Sequence, residues 1–208
     1  MERRLLKLTE YGSLCKLLSG DGDGVDGINR TEIQHLCWLG AQCPDGGDVV
    51  EVGSHRGKST CCLAAGVRSA GVQGRVFAVD LWTKGAGKTF DHYSSKQTWE
   101  IFQRQVRQMG FVGLIRPVQG ASVECALRRK RPIHVLFIDA SHKYPHVLAD
   151  WNAWSPFVAP GGWVAFHDYG TRFEGVDRVV TEEVVAHGDV WGEFGVEGRI
   201  FTARKIGK

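Results

Sequence analysis

One stretch of the sequence, residues 48–60, constrains the fold more than any other. Its mainly β-branched run Val49–Val52 favours a buried strand. The strand pattern breaks at Gly53, and after Gly57 the residues become compatible with a helix. A strand, a glycine turn and a helix N-terminus together form a site where free backbone N–H groups and the helix dipole face a ligand. The stretch therefore predicts a site for a nucleotide-like ligand.

The rest of the chain alternates short apolar strands with helices. Further strands are predicted at 75–79, 113–118, 134–138 and 162–166, with a final hairpin at 190–194 and 199–203. Helices are predicted at 31–42, 59–70, 96–109, 123–129, 145–154 and 175–186. Continuous apolar strands are typical of a parallel sheet covered by helices on both faces. Right-handed crossovers then give a doubly wound α/β sheet, in which ligands bind at the carboxyl ends of the strands.

Composition excludes several other classes of protein. The net charge of +3, without a long Lys/Arg run, does not indicate a nucleic-acid partner. No apolar run approaches the roughly 20 residues of a membrane span, so we expect no membrane partner. None of the six cysteines forms a C-x-x-C pair, which argues against a zinc ribbon or a redox motif and favours a cytoplasmic location. The basic cluster at 128–131 is interpreted as a solvated helix end or loop.

Two parts of the chain are expected. Residues 1–45 form a helical N-terminal segment that packs on the core, and residues 46–208 form the ligand-binding domain. Residues 1–20 have the apolar spacing of an amphipathic helix, which suits packing on the core or on a second copy of the chain in a homo-oligomer. The glycine-aspartate stretch 20–27 is interpreted as a linker, and residues 83–96 as a lid over cofactor or acceptor.

The number of residues between the glycines distinguishes three kinds of ligand that a glycine turn can bind. A phosphate loop needs four residues between its glycines, whereas three separate Gly53 from Gly57. The dinucleotide pattern G-x-G-x-x-G does not match either. S-adenosylmethionine has no phosphate, and its cationic amino acid moiety suits Glu51. Its ribose diol suits an acidic residue such as Asp80, which ends the next strand. We therefore expect S-adenosylmethionine, and a P-loop-like nucleotide hydrolase is the less favoured alternative.

Four segments between residues 48 and 170 resemble class I S-adenosylmethionine-dependent methyltransferases. They are VVEVGSHRGKST, GRVFAVDLW, VQGASVE and VLFIDASHKYPHVLADWNAWSPFVAPGGWVAFHDY. Within that class the chain resembles the family of macrocin-type O-methyltransferases and cephalosporin-hydroxylase-like proteins. The resemblance implies a Rossmann-like methyltransferase fold with seven strands, mostly parallel, the last antiparallel. It also implies transfer of a methyl group to the hydroxyl of a small-molecule acceptor, such as a sugar or a natural product.

The resemblance further implies which residues hold the cofactor. Gly53, Ser54 and Gly57 would shape the turn, Glu51 would lie near the methionine amino group, and Asp80 would bind the ribose hydroxyls. The other residues implied at the cofactor are Leu81, Trp82, Gly120, Ala121, Ser122 and Asp139.

Polar residues that end the fourth and fifth strands predict a metal site. Asp139 and the pair His167-Asp168 would lie on neighbouring strands, which are roughly 4.7–4.9 Å apart in a sheet. Carboxylates with one imidazole suit Mg²⁺ or a similar divalent cation, which would lower the pKa of the acceptor hydroxyl. Metal-dependent relatives such as catechol O-methyltransferase have Asp-Asn at the second pair, where this chain has His-Asp.

His142, three residues after Asp139, is the expected general base, and His142 and Asp139 are the expected catalytic residues. His142 matches the place of the general-base lysine in the catechol enzymes. An imidazole titrates close to neutral pH, which suits proton removal. Lys143 and Tyr144 are second choices. A cofactor-binding accessory or regulatory protein without transfer activity is the alternative from another class, because fold alone does not establish activity.

Overall fold

The computed structural model of the protein describes residues 27–82 and 96–207. Its helices are α1 (Arg30–Gly40), α2 (Lys58–Ala70), α3 (Lys96–Gln108), α4 (Ser122–Ala126), α5 (Tyr144–Trp154) and α6 (Glu174–Val179). Its strands are β1 (Asp48–Val52), β2 (Arg75–Asp80), β3 (Ile115–Gln119), β4 (Ile133–Ile138), β5 (Val158–Phe166), β6 (Trp191–Glu197) and β7 (Ile200–Lys205). The amphipathic helix predicted at 1–20, and nearly all of the predicted linker and lid, lie outside the described residues. The domain boundary predicted after residue 45 stays a prediction.

The seven strands form one sheet in the order β3-β2-β1-β4-β5-β7-β6. Strands β1 to β5 pair in parallel, and β7 runs antiparallel to both β5 and β6. The predicted doubly wound sheet of seven strands with an antiparallel last strand is therefore confirmed. Helix α6 ends earlier than predicted, at Val179, because the chain continues as a π-helical turn, Val180–Val184.

Alternate residues of the central strands β1, β4 and β5 point to opposite faces and enter two separate cores. On β4, Val135 and Phe137 pack with the core that α1, α2 and α3 cover. Leu136 and Ile138 pack with the core that α4, α5 and α6 cover. This alternation explains why the strands read as continuous apolar runs, since both faces of the sheet are buried.

The amino edge of the sheet is closed by a buried ionic cluster around Asp48. This fully buried carboxylate contacts Arg75 at 2.7 Å, Arg129 at 2.5 Å and Arg131 at 3.3 Å. Because a buried charge is costly unless it is paired, these contacts stabilise Asp48 where it stands. The interpretation of residues 128–131 as solvated is wrong for Arg129, whose side chain is only 8% exposed.

At the carboxyl edge, the turns that follow β1 and β4 touch. Gly53 has φ +93°, and a Cβ atom there would lie 2.4 Å from the carbonyl oxygen of Asp139. The amide of Asp139 donates to Val52 O at 2.8 Å, and the amide of Gly53 donates to Val79 O at 2.9 Å. Glycine at position 53 therefore permits both the left-handed conformation and the close approach of the two turns.

Helix α1 begins with a capping box. The side chain of Asn29 accepts from the Glu32 amide at 3.0 Å, and the Glu32 carboxylate accepts from the Asn29 amide at 2.8 Å. Asn29 is therefore the N-cap residue of this helix. The cap fixes Glu32 in a fully buried position.

The described cysteines behave as apolar core residues. Cys37, Cys43, Cys61, Cys62 and Cys125 are free and buried. Burial raises the pKa of Cys61 and of Cys43 to about 12, which leaves these thiols protonated and unreactive at neutral pH. Among the described residues, no helix combines the length and the apolar character that a membrane span requires.

Helices α1 and α2 cross at two glycines that bring their backbones together. A Cβ atom on Gly66 would lie 2.0 Å from the carbonyl oxygen of Cys37. A Cβ atom on Gly40 would lie 2.1 Å from the carbonyl oxygen of Leu63. Such distances are impossible without moving one helix, so the crossing requires glycine at both positions.

Gly66→Ala is expected to destabilise the protein by about 1–3 kcal/mol, because the new methyl group must push α1 away. Helix propensity alone predicts the opposite sign, a gain of roughly 1 kcal/mol. Chemical denaturation measures the change. The control is Gly113→Ala, since no atom lies within 4 Å of a Cβ there, and it should be close to neutral. A stabilised Gly66→Ala variant would contradict the close crossing.

Candidate functional site

Asp80 ties the glycine turn to the end of β2. Its carboxylate accepts the backbone N–H of His55 at 2.8 Å and that of Trp82 at 2.8 Å. The indole N–H of Trp82 donates back to the carbonyl of His55 at 2.9 Å. His55 and Trp82 have φ values of 44° and 43°, a conformation uncommon for residues with side chains. The carboxylate thus sits in a rigid backbone cradle at the end of β2.

Trp82 contributes its backbone and indole N–H to the site, while its ring belongs to the core. The side chain is 1% exposed and its ring packs 4.7 Å from Trp99 and 4.8 Å from Phe102. The placement of Trp82 at the cofactor stays a prediction, while the contacts of its ring support the loop that Asp80 holds.

Two polar side chains beneath the glycine turn are buried with atoms left unpaired. Glu51 is fully buried and accepts from the Thr60 hydroxyl. Neither Glu51 Oε1 nor Ser54 Oγ has a hydrogen-bond partner among the described residues. Burial raises the pKa of Glu51 to about 7, against the lowering effect of the surrounding hydroxyl groups. Unpaired buried polar atoms are costly, which indicates that a bound polar group satisfies them.

The end of β3 lies beside Asp80, and the predicted cofactor contacts of Gly120, Ala121 and Ser122 stay a prediction. The amide of Gly120 donates to Asp80 O at 2.9 Å. Gln119 donates from Nε2 to Leu81 O at 3.5 Å. Ala121 precedes α4, and the hydroxyl of Ser122 accepts from Trp154 at 2.8 Å.

Three potential ligand atoms converge where β4 and β5 end. Asp139, His142 and Asp168 each offer one such atom, and these atoms lie within 4.8 Å of one another. His142 Nε2 lies 2.8 Å from Asp168 Oδ2. The His142 ring stacks on Phe173 with 4.0 Å between centroids, and the side chain of His142 remains 35% exposed. The structure therefore gives this histidine a carboxylate partner, a fixed ring plane and access to solvent.

His167 does not belong to this group of three. Its Nδ1 lies 3.2 Å from Asp139 and 3.5 Å from Asp168, and its Nε2 lies 3.7 Å from Glu32. Burial alone would lower the pKa of His167, but the facing carboxylates raise it to about 12. The structure thus brings His142 to the two aspartates as well, and the role of His167 as a metal ligand stays a prediction.

Two further residues of the site, Glu32 and Arg199, are not among the predicted ones. Arg199, in the turn between β6 and β7, contacts Glu32 at 3.0 Å and Asp168 at 3.0 Å. Burial would raise the pKa of Glu32, but His167 and Arg199 hold it at about 2. The pKa of Asp168 also lies below its usual range, because bonds from His142 and His167 outweigh burial. The sequence shows Glu32 only as part of a capping box and gives no signal for Arg199.

The seven-stranded sheet has the Rossmann-like fold of class I methyltransferases. Residues 50–169 match the profile of a methyltransferase-domain family. Because the match covers more than half of the chain, the chain belongs to that family. The expectation of an S-adenosylmethionine-dependent methyltransferase is confirmed at the level of family and fold.

Solved structures show the same fold at low sequence identity. The O-methyltransferase NovP superposes with a TM-score of 0.69 at 16% identity, over 86% of this chain and 81% of NovP. The O-methyltransferase TomG from Streptomyces achromogenes, in complex with S-adenosylmethionine, gives 0.66 at 16% identity, over 98% and 92% of the two chains. An O-methyltransferase from Bacillus cereus, in complex with S-adenosylhomocysteine, gives 0.65 at 16% identity, over 96% and 91%.

A curated relative is much longer than this chain. The uncharacterized protein y4gI of Sinorhizobium fredii is 28% identical over 134 residues, which are 61% of this chain and 14% of that protein. The match therefore corresponds to about one seventh of the relative's length.

Glu51→Gln is expected to remove a pH dependence of stability. The pKa of Glu51 is about 7 in the folded chain against an ordinary 4.5, so the folded state carries the extra proton between these values. Wild-type stability therefore falls as pH rises through this window, because a buried charge then forms. As the pH rises from 5 to 8, the free energy of unfolding of Glu51→Gln should therefore increase by about 2–3 kcal/mol relative to that of wild type.

Denaturation curves at several pH values measure this difference without cofactor. Glu124→Gln, at an exposed position of α4, is the control and should run parallel to wild type. Parallel curves for Glu51→Gln as well would show that Glu51 does not hold a proton on folding.

Proposed function

We propose that the protein transfers a methyl group from S-adenosylmethionine to a hydroxyl oxygen of a small molecule, a sugar or another natural-product scaffold. One observation carries the proposal: Gly53 of the cofactor-side turn packs directly against Asp139 of the group at the ends of β4 and β5. A ligand on the glycine turn and an acceptor beside His142 would therefore be neighbours. Proximity of this kind is the main requirement for a direct displacement.

The residues around the glycine turn fit the cofactor. The unpaired Glu51 Oε1 and Ser54 Oγ suit the methionine ammonium group, which is a donor of hydrogen bonds. The cradled carboxylate of Asp80 suits the ribose hydroxyls. When bound, S-adenosylmethionine supplies a methyl group that bonds to the acceptor oxygen as its carbon–sulfur bond breaks, the bonding electrons passing to sulfur to give S-adenosylhomocysteine.

His142 would take the acceptor's proton. Because Nε2 faces Asp168 at 2.8 Å, the tautomer with hydrogen on Nε2 leaves Nδ1 as the basic atom. Asp168 then stabilises the imidazolium that forms, and Phe173 holds the ring plane. The base keeps the role that the sequence predicts for it, and Asp168 gains the role of its partner.

A divalent cation fits beside the base. Asp139 and Asp168 supply oxygen atoms of the kind that Mg²⁺ prefers, and the third nearby donor is His142. We propose that Asp139 and Asp168 hold the cation and that His142 stays the base, since its Nε2 already has a partner. When bound, the cation would lower the pKa of the acceptor hydroxyl.

Calorimetry decides the cofactor. Wild type should bind S-adenosylmethionine and S-adenosylhomocysteine but not ATP, and Asp80→Ala should weaken both by about tenfold or more, since a buried hydrogen bond to a charged group contributes roughly 1.5–3 kcal/mol. Asp45→Ala is the control, because Asp45 lies at the opposite edge, where its carboxylate accepts the amide N–H of Gln73. Binding of ATP and of neither sulfur compound would refute the proposal.

Separate measurements of cation binding and transfer distinguish the two roles around His142. Asp139→Asn should lose Mn²⁺ binding, whereas His142→Ala should keep it. With a panel of sugars and phenols as acceptors, His142→Ala should release S-adenosylhomocysteine at least about 100-fold more slowly than wild type at neutral pH. Loss of Mn²⁺ binding in His142→Ala would make it a ligand. Intact cofactor binding without any transfer across the panel would favour the accessory protein.

A further inference from the structure

Arg199 makes contacts on two sides at the turn between β6 and β7. Its Nη1 donates to Asp168 Oδ1 at 3.0 Å. Its backbone amide and Nε both donate to Glu32 Oε1, at 2.9 and 3.0 Å, and its Nη2 donates to Glu32 Oε2 at 3.1 Å. One guanidinium group therefore joins the first described helix to the aspartate that partners His142.

The contact with Asp168 decides which carboxylate oxygen faces the base. Because Oδ1 is bound by Arg199, Oδ2 is the oxygen that lies 2.8 Å from His142. The backbone is held as well, since the amide of Tyr169 donates to Arg199 O at 3.0 Å. This matters because Asp168 has φ +60°, a conformation that a residue with a side chain keeps only when its surroundings impose it.

The pocket around Arg199 matches a planar fork of donors. Glu32 is fully buried and binds the fork through both oxygens. Gly198 leaves room for the Glu32 side chain, because a Cβ there would lie 2.7 Å from its Cγ. A Cβ on Gly27 would lie 3.2 Å from the guanidinium itself. A lysine would carry the charge but could not bond both carboxylates in this geometry.

We infer that Arg199, anchored by Glu32, is a positioning residue that fixes the Asp168 carboxylate so that its Oδ2 holds His142 in one tautomer. The inference rests on the proposed role of His142 as base. Arg199 touches neither His142 nor the group of three except through Asp168, so its effect on transfer is indirect.

The test uses protein labelled with ¹⁵N-histidine. Long-range ¹H–¹⁵N spectra at about pH 8 report the tautomer of each neutral imidazole, and the His142 signals are those lost in His142→Gln. Wild type should show hydrogen on Nε2, because Nε2 donates to Asp168. In Arg199→Met the two tautomers should become mixed. Arg199→Lys, which keeps the charge and lacks the fork, should behave like Arg199→Met.

Arg204→Met is the matched control. Arg204 also lies on the last hairpin, is 38% exposed against 34% for Arg199, and pairs with Glu193 away from the site. It should leave the His142 signals unchanged. Because Arg199→Met leaves Glu32 buried without its main partner, Glu32→Gln/Arg199→Met serves as a second variant that removes the buried charge and should give the same mixed tautomers.

Transfer provides the second readout. With an acceptor from the panel, Arg199→Lys should lower kcat about 100-fold and leave the KM for S-adenosylmethionine within about twofold, because misplacing a base affects the reacting geometry alone. A wild-type tautomer in all Arg199 variants overturns the inference, even if their melting temperatures fall. Mixed tautomers in a protein that transfers no methyl group would support the positioning role and refute the proposed function instead.

Discussion

The site depends on pairing charges that are buried at the end of the sheet. Glu32, Asp139 and Asp168 face His167 and Arg199 in a cluster that joins α1, β4, β5 and the last hairpin. None of these charges would be stable there alone, because removing an ion from water costs several kcal/mol unless a partner compensates it. The cluster therefore stabilises a local arrangement in which the adjacent, half-buried His142 has a defined carboxylate partner.

Buried charge pairs occur at both edges of the sheet, but their arrangements differ. At the amino edge, Asp48 is buried under three arginines, and the nearby imidazole of His134 accepts the Asp48 amide N–H through Nδ1 at 3.3 Å. At the carboxyl edge, one aspartate is shared between an arginine and a histidine that solvent reaches. The cluster at the amino edge fits a structural role, whereas the cluster at the carboxyl edge also contains a histidine that could accept a proton. This difference agrees with the binding of ligands at the carboxyl ends of parallel strands.

The sequence predicts the fold and names part of the candidate site, because both depend on patterns that are local in the chain. Apolar alternation with helices determines the sheet, and the spacing of Gly53, Gly57 and Asp80 reflects a local strand–turn–helix geometry. The direction in which a side chain points, in contrast, depends on contacts with residues that are distant in the sequence. Asp168 turns through its positive φ, so His142 meets it and His167 faces inward. The contact of Arg199 with Glu32 spans 167 residues and depends on how the hairpin packs on α1, which no short pattern records.

The capping box of α1 has a consequence beyond the helix that it begins. The carboxylate of Glu32 that accepts the Asn29 amide is also the one that holds Arg199. Fraying of the first helical turn would therefore release the guanidinium, and loss of the guanidinium would weaken the turn. Thermodynamic linkage makes these two effects equal in free energy. The start of α1 and the placement of the Asp168 carboxylate thus form one cooperative unit, so disorder in the first turn of α1 also weakens the contact of Asp168 with His142.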